Sequence, residues 1–259
     1  MTDRPSVRFV ILLFALAVLV YLGLCAALYA FQRALIYYPQ PRAIAGPAST
    51  MELAVADASL VVSVRSHDGP KALLYFGGNA EDVSSNLPSF SRAIPDHALY
   101  LMHYRGYGGS SGTPSEEALQ RDALALFDRI FLDHPEIAVV GRSLGSGIGI
   151  WLASQRPATR LVLVTPYDSM QDLAASHFPY LPVRWLLRDK YESSRYAPSI
   201  RVQTLVISAE DDEVIPSAST ARLLAAFAPG VAALKVISGA GHNTISNSPD
   251  YLEALRSAL

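Results

Sequence analysis

Cysteine occurs once in the 259 residues, at Cys25, and lysine only at positions 71, 190 and 235. A single thiol admits no intrachain disulfide and no cysteine-based zinc site. Charged residues make up 17% of the chain, with Lys+Arg 21 against Asp+Glu 23 and a net charge of −2. No basic block exists to track a phosphate backbone, which argues against nucleic acid as a partner. Two phosphate-cradling signatures are also missing. The glycine-rich stretch from Gly141 fails G-x-G-x-x-G because Ile150 stands at the third position, and no Lys-Ser/Thr pair follows to make a P-loop. No internal repeat is visible.

What the chain does have is a long apolar run. Phe9 to Phe31, "FVILLFALAVLVYLGLCAALYAF", carries no charge over 23 residues. At about 1.5 Å per residue it reaches roughly 35 Å, enough to cross a hydrocarbon core. A cleaved signal peptide fits less well: the run exceeds a usual h-region, and Leu28-Tyr29-Ala30 is not a small-x-small cleavage site. Leu24 before Cys25 also weakens a lipoprotein signal. The expected organisation is an N-terminal flank (1–8), a transmembrane helix (9–31), a juxtamembrane linker (32–50) and one domain (51–259). The linker holds Pro39, Pro41 and Pro47, which oppose a continuing helix, and Tyr37 and Tyr38 suit an interfacial belt. Arg4 and Arg8 with the terminal amine face Arg33 and Arg42, a slight bias toward a cytoplasmic N-terminus and an extracytoplasmic domain.

From residue 51 the chain alternates short β-rich runs with helical stretches, the signature of an α/β fold with a mostly parallel sheet covered on both faces. Candidate strands are "SLVVSV", "ALLYFG", "ALYLMHY", "IAVVG", "RLVLVT", "TLVISA" and "ALKVIS". Their nearly continuous apolar character fits strands buried on both sides. Residues 113–131 read as a helix, with Thr113 and Glu116 as a capping box and Pro114 at its first position. The longest interval without a strand, about 170–203, is rich in aromatic and leucine residues. It is expected to form a small helical cap over the C-terminal strand ends, where ligands bind in such sheets.

"GRSLG", Gly141 to Gly145, satisfies G-x-S-x-G after a buried strand and before a helix. The turn would expose Ser143 and aim the main-chain N–H of Leu144 at a developing oxyanion. A second donor belongs in the loop after an earlier strand. "YFGGNAED" offers the main-chain N–H of Asn79, beyond Gly77 and Gly78. The base should follow the serine. Of the histidines at 67, 97, 103, 134, 177 and 242, only His242 sits in a glycine-rich loop past the last strand, "GAGHN". For the acid, "AEDDEVIP" presents Glu210, Asp211, Asp212 and Glu213. Asp212 is the first choice from its register to the Val214-Ile215-Pro216 turn, Asp211 the second, and Asp168 in "TPYDS" an outside candidate.

With these segments assembled, the chain resembles the alpha/beta-hydrolase superfamily, and more narrowly a membrane-anchored subgroup of compact serine hydrolases related to ABHD-type lysophospholipases and depalmitoylases. The resemblance rests on "RALIYYP", "YFGGNAEDVS", "YRGYGGSSGTPSEEAL", "GRSLGSG", "HFPYLPVRWLLRDKYES", "AEDDEVIP" and "GAGHN". It implies hydrolysis of carboxylic esters or thioesters, with Ser143 as nucleophile, His242 as base and then acid, and Asp212 as the residue that orients it. Leu144 and Asn79 would supply the oxyanion hole. It implies no metal and no organic cofactor, and an acyl, lipid-like substrate at a membrane. Tyr104, Arg105 and Tyr107 are expected to brace the site from beside it. His103 departs from the Asp or Asn usual there. Two alternatives remain, an aminopeptidase or amidase on the same fold and a noncatalytic hydrolase-fold binding protein.

Overall fold

The computed structural model describes residues 7–43 and 50–259. The N-terminal flank to residue 6 and the linker from 44 to 49 lie outside the described residues. The first element, α1, runs Val7–Ile36 over 30 residues. It begins earlier than the expected 9–31 segment and ends later, three residues before Pro39. Helical bonding can therefore continue until the proline constraint approaches.

Eight strands follow: β1 (Thr50–Val55), β2 (Ala58–Arg65), β3 (Lys71–Phe76), β4 (Ala98–Met102), β5 (Glu136–Arg142), β6 (Arg160–Val164), β7 (Thr204–Ala209) and β8 (Ala232–Ile237). They form one sheet in the order β1-β2-β4-β3-β5-β6-β7-β8. The β1–β2 and β2–β4 pairs are antiparallel and the rest are parallel. Seven strands coincide with the apolar runs, but β8 is an edge strand with residues 233–236 exposed rather than buried on both sides. β1, "TMELAV", lies outside those runs: it alternates polar and apolar residues at a sheet edge. It enters β2 through Ala56-Asp57, which lacks the glycine or asparagine that marks a tight hairpin.

Two hydrophobic layers sandwich the sheet. On one face pack α3 (Glu116–Phe131), α4 (Leu144–Gln155) and α8 (Ser217–Ala226), through Leu119, Phe127, Ile148 and Leu223. On the other lie α2 (Leu87–Ala93) and α9 (Pro249–Ala258), through Phe90, Tyr251 and Leu255. The chain leaves β3 for β4 over one face and returns from β4 to β5 over the other, so β3 and β5 are neighbours whose connections diverge. Their carboxyl ends form the crevice where open α/β sheets bind ligands.

Two local expectations need correction. The cap of α3 is Ser115, not Thr113: its hydroxyl accepts from the Ala118 N–H at 3.2 Å and the helix starts at Glu116. The Glu116 carboxylate accepts instead from the Lys190 main-chain N–H at 2.6 Å, so it does not close a box at Thr113. Tyr37 lies in the protein core rather than in an interfacial belt, 4% exposed, with its hydroxyl donating to Asp189 and paired with that of Tyr191.

The interval between β6 and β7 folds as three short helices: α5 (Met170–His177), α6 (Val183–Leu186) and α7 (Ser193–Tyr196). This is the small cap. It is stapled to α1 rather than resting loosely on the domain. Gln32, buried on α1, donates from Nε2 to the Leu186 carbonyl at 3.0 Å and accepts at Oε1 from the Arg188 N–H at 2.7 Å. Arg33 grips Asp189 through Nε and Nη2 at 3.0 and 3.2 Å.

Candidate active site

Ser143 sits between β5 and α4 with φ 47° and ψ −116°, a left-handed conformation that L-residues adopt at a cost of about 1–3 kcal/mol. Neighbouring backbone enforces it. The Ser143 N–H donates to the Val164 carbonyl at 2.8 Å, and its carbonyl accepts from Ser146 at both N and Oγ. A Cβ on Gly141 would overlap the Gly145 carbonyl, and one on Gly145 would overlap the Phe76 carbonyl. Glycine at both positions lets strand, turn and helix close on one another.

Three distant segments meet at this serine. His242, 6% exposed, follows β8 and places Nε2 at 2.9 Å from Ser143 Oγ. Its Nδ1 lies 3.0 Å from both carboxylate oxygens of Asp212, in the loop after β7. An ionised carboxylate only accepts, so Nδ1 carries the proton and Nε2 presents its lone pair to the serine hydroxyl. Burial pushes the Asp212 acid upward. The hydrogen bonds from His242 and from the Ile215 and Val214 N–H groups outweigh it and hold the carboxyl below its ordinary range.

The other acids are placed elsewhere. Asp168 accepts from Ser219 Oγ at 2.6 Å and from Arg222 Nε at 2.5 Å. Asp211 is exposed, and its main-chain N–H donates to the Ala240 carbonyl. Glu213 accepts from the His242 main-chain N–H at 3.0 Å, and Glu210 from that of Gly239 at 2.9 Å. Both therefore shape the histidine loop. His177 is exposed on the cap and His103 is buried against Ser63, away from the serine.

Leu144 opens α4, so its N–H is among the first in the helix without an intrahelical acceptor. Across from it, the loop after β3 approaches closely: a Cβ on Gly78 would lie 3.6 Å from Ser143 Cβ. The Gly78 N–H donates to Glu81 at 2.5 Å, making Asn79 the next main-chain donor along the loop. The Asn79 side chain is bonded at both its oxygen and its nitrogen. Its Oδ1 accepts from Tyr107 Oη at 2.8 Å and from the Tyr38 and Ala80 N–H groups at 3.0 Å, while Nδ2 donates to the Ile36 carbonyl at the end of α1. Tyr104 donates to the Gly77 carbonyl at 2.6 Å, and Arg105 is locked onto Asp122 at 2.7 and 2.8 Å.

Sequence reasoning missed Glu81 and Arg142. Arg142, the variable residue before the serine, reaches Glu81 Oε2 at 3.2 Å and the His242 carbonyl at 3.3 Å. Glu81 also accepts from Tyr75 Oη at 2.7 Å. The pair is nearly buried, with side chains 13% and 9% exposed. It joins the serine turn, the β3 loop and the histidine loop. No local motif marks such a link, because each residue acts through partners remote in sequence. Among the described residues, no cluster of three or more His, Cys, Asp or Glu side chains is arranged to hold a metal ion.

A family model for the alpha/beta hydrolase fold matches residues 71–196, which contain the serine turn, the β3 loop and most of the cap. The mouse "Alpha/beta hydrolase domain-containing protein 10" superposes with a TM-score of 0.64 over 81% of this chain and 96% of that one, at 14% identity. The chain belongs to the alpha/beta hydrolase superfamily. Within this superfamily it is 35% identical over 252 residues to "Uncharacterized protein Rv2307c" of Mycobacterium tuberculosis, covering 88% of this chain and 86% of the relative. "Lysophosphatidylserine lipase ABHD12" of Macaca fascicularis is 31% identical over 182 residues, 61% of this chain but only 45% of that longer protein.

Proposed function

We propose that this alpha/beta hydrolase is a single-pass membrane serine hydrolase that cleaves carboxylic esters or thioesters of acyl, lipid-like substrates. The observation that carries the reading is the continuous relay from Ser143 Oγ through His242 to Asp212, at 2.9 and 3.0 Å. In the acylation step, Oγ attacks the acyl carbonyl carbon while its proton passes to His242 Nε2. The carbonyl electron pair moves onto oxygen, where the N–H groups of Leu144 and Asn79 would receive it. Collapse expels the alcohol or thiol, which takes the proton from His242, and leaves an acyl-Ser143 ester. Water then attacks the same carbon as His242 Nε2 takes its proton; collapse breaks the bond to Oγ, Nε2 returns that proton to Oγ, and the carboxylic acid leaves with Ser143 restored. Each oxyanion donor is worth on the order of 10²–10³ in kcat.

Anchoring is part of the proposal. The most apolar 18-residue window of α1 has a mean hydropathy of 2.9 and is almost wholly uncovered by protein. We place the domain on the extracytoplasmic side, with Arg4 and Arg8 retained in the cytoplasm. The name of the ABHD12 relative directs the first substrates to lysophospholipids. Rates across a chain-length series of acyl esters, thioesters and matched amides test the reading, with Ser143→Ala alongside. Ester or thioester turnover lost in Ser143→Ala supports it. Faster turnover of amides favours a peptidase instead, and turnover unchanged in Ser143→Ala refutes the nucleophile.

A further inference from the structure

An apolar cavity of about 460 Å³ lies between α1 and the cap, and its lining includes none of Ser143, Asp212 and His242. Leu28 and Leu35 of α1 and Ala174, Phe178 and Leu186 of the cap line it, together with Asn79, the neighbour of Gly78, whose backbone abuts Ser143. The wall contributed by α1 is held in place at both ends. Gln32, Arg33 and Tyr37 fasten it to residues 186–191, and farther down the helix Tyr21 donates from its hydroxyl to the Tyr180 carbonyl at 2.9 Å.

The position of Tyr21 fixes the depth of the cap. A hydrocarbon core of roughly 30 Å needs about 20 helical residues. Counted from Phe9, that stretch ends near Leu28, so Tyr21 and the Tyr180 segment bonded to it fall inside the apolar layer. Side chains at the cap tip match such surroundings: Tyr180 is 90% exposed, Trp185 88% and Phe178 56%. In water these three would form a costly apolar patch, whereas beside a spanning helix they meet acyl chains and the interface.

Resting on the serine-hydrolase reading, we propose that this cavity is an acyl-chain groove that opens into the outer leaflet at Leu28 and Phe178. A lipid enters it sideways, without leaving the bilayer, and its carbonyl arrives at Asn79 and Ser143. The anchor helix is therefore a wall of the substrate site as well as a tether.

The test uses full-length Ser143→Ala protein in nanodiscs containing a lysophospholipid with a diazirine at the end of its acyl chain. After irradiation, the labelled residues are mapped by mass spectrometry. Label on Leu28, Leu35, Ala174 or Leu186 is expected, and label confined to Val7–Val20 would overturn the groove. Adding Ala174→Trp, which fills the cavity, should lower groove labelling about tenfold while the lower half of α1 stays labelled. Undiminished groove labelling would count against the proposal. Because the serine is absent, neither result depends on catalysis. Reaction of the wild-type serine with a fluorophosphonate examines the hydrolase reading separately.

Discussion

Arg142 donates from Nη2 to the main-chain carbonyl of His242 at 3.3 Å, across 100 positions of sequence. The residue before Ser143 thus holds the loop that carries His242. Its other partner, Glu81, holds the loop that carries Asn79, so one ion pair sets the spacing of three loops.

Arg142→Met removes this tie and leaves Glu81 buried without its cation. A loss of about 3–5 kcal/mol in stability is expected, seen as a lowered Tm in detergent. The double variant Arg142→Met/Glu81→Gln should regain most of that stability. The kcat of both variants should stay depressed, on the order of 10²-fold, because the loops no longer hold their spacing. Equal recovery of Tm and kcat in the double variant would reduce the pair to a purely structural role.

The acids separate in the same kind of assay. Asp212→Asn should lower kcat by about 10⁴-fold with little change in fold, since an amide no longer fixes the imidazole tautomer. Asp168→Asn disturbs Ser219 and Arg222 instead, and should change Tm while kcat stays within about twofold of wild type. If the two effects on kcat were reversed, the acid would be misassigned.

Much of this was legible in the chain, for physical reasons. Strands buried on both faces are apolar along their whole length, and Ser143 and Asp212 each follow one of them, whereas His242 follows the largely exposed edge strand β8. The β1 edge strand has no such run and no glycine turn. Thr113 and Ser115 both have the chemistry of a helix cap, and the bond from the Ala118 N–H to Ser115, with Glu116 drawn to Lys190, decides between them. Tyr37 reads as interfacial until Asp189 and Tyr191 are seen to meet its hydroxyl. Glu81 and Arg142 are long-range partners that no spacing rule connects.

Membrane depth can be read from fluorescence. The chain has two tryptophans, Trp151 and Trp185. Trp151→Phe leaves Trp185 as the only indole. In vesicles of chain-brominated lipid its emission should be quenched, with little effect of aqueous iodide. The opposite pattern would place the cap in water, above the bilayer.

Acid should weaken the fold through His103. Burial holds its imidazole well down, at about 4. Between that value and the ordinary value of about 6.5 the unfolded chain binds the proton and the folded chain does not, so stability falls as pH drops through this window. The loss from this residue should approach about 3 kcal/mol and level off below pH about 4. His103→Asn should flatten that part of the Tm-against-pH curve. A curve of unchanged slope would mean that other groups carry the acid sensitivity, His97 among them, which burial also lowers.

The most direct measurement is covalent. Full-length protein in nanodiscs is treated with a fluorophosphonate, and the peptide spanning "GRSLGSG" is weighed by mass spectrometry. A phosphonyl adduct on Ser143, lost in His242→Ala, is the predicted result. A wild-type serine that stays unmodified while a control serine hydrolase in the same tube reacts would contradict the account.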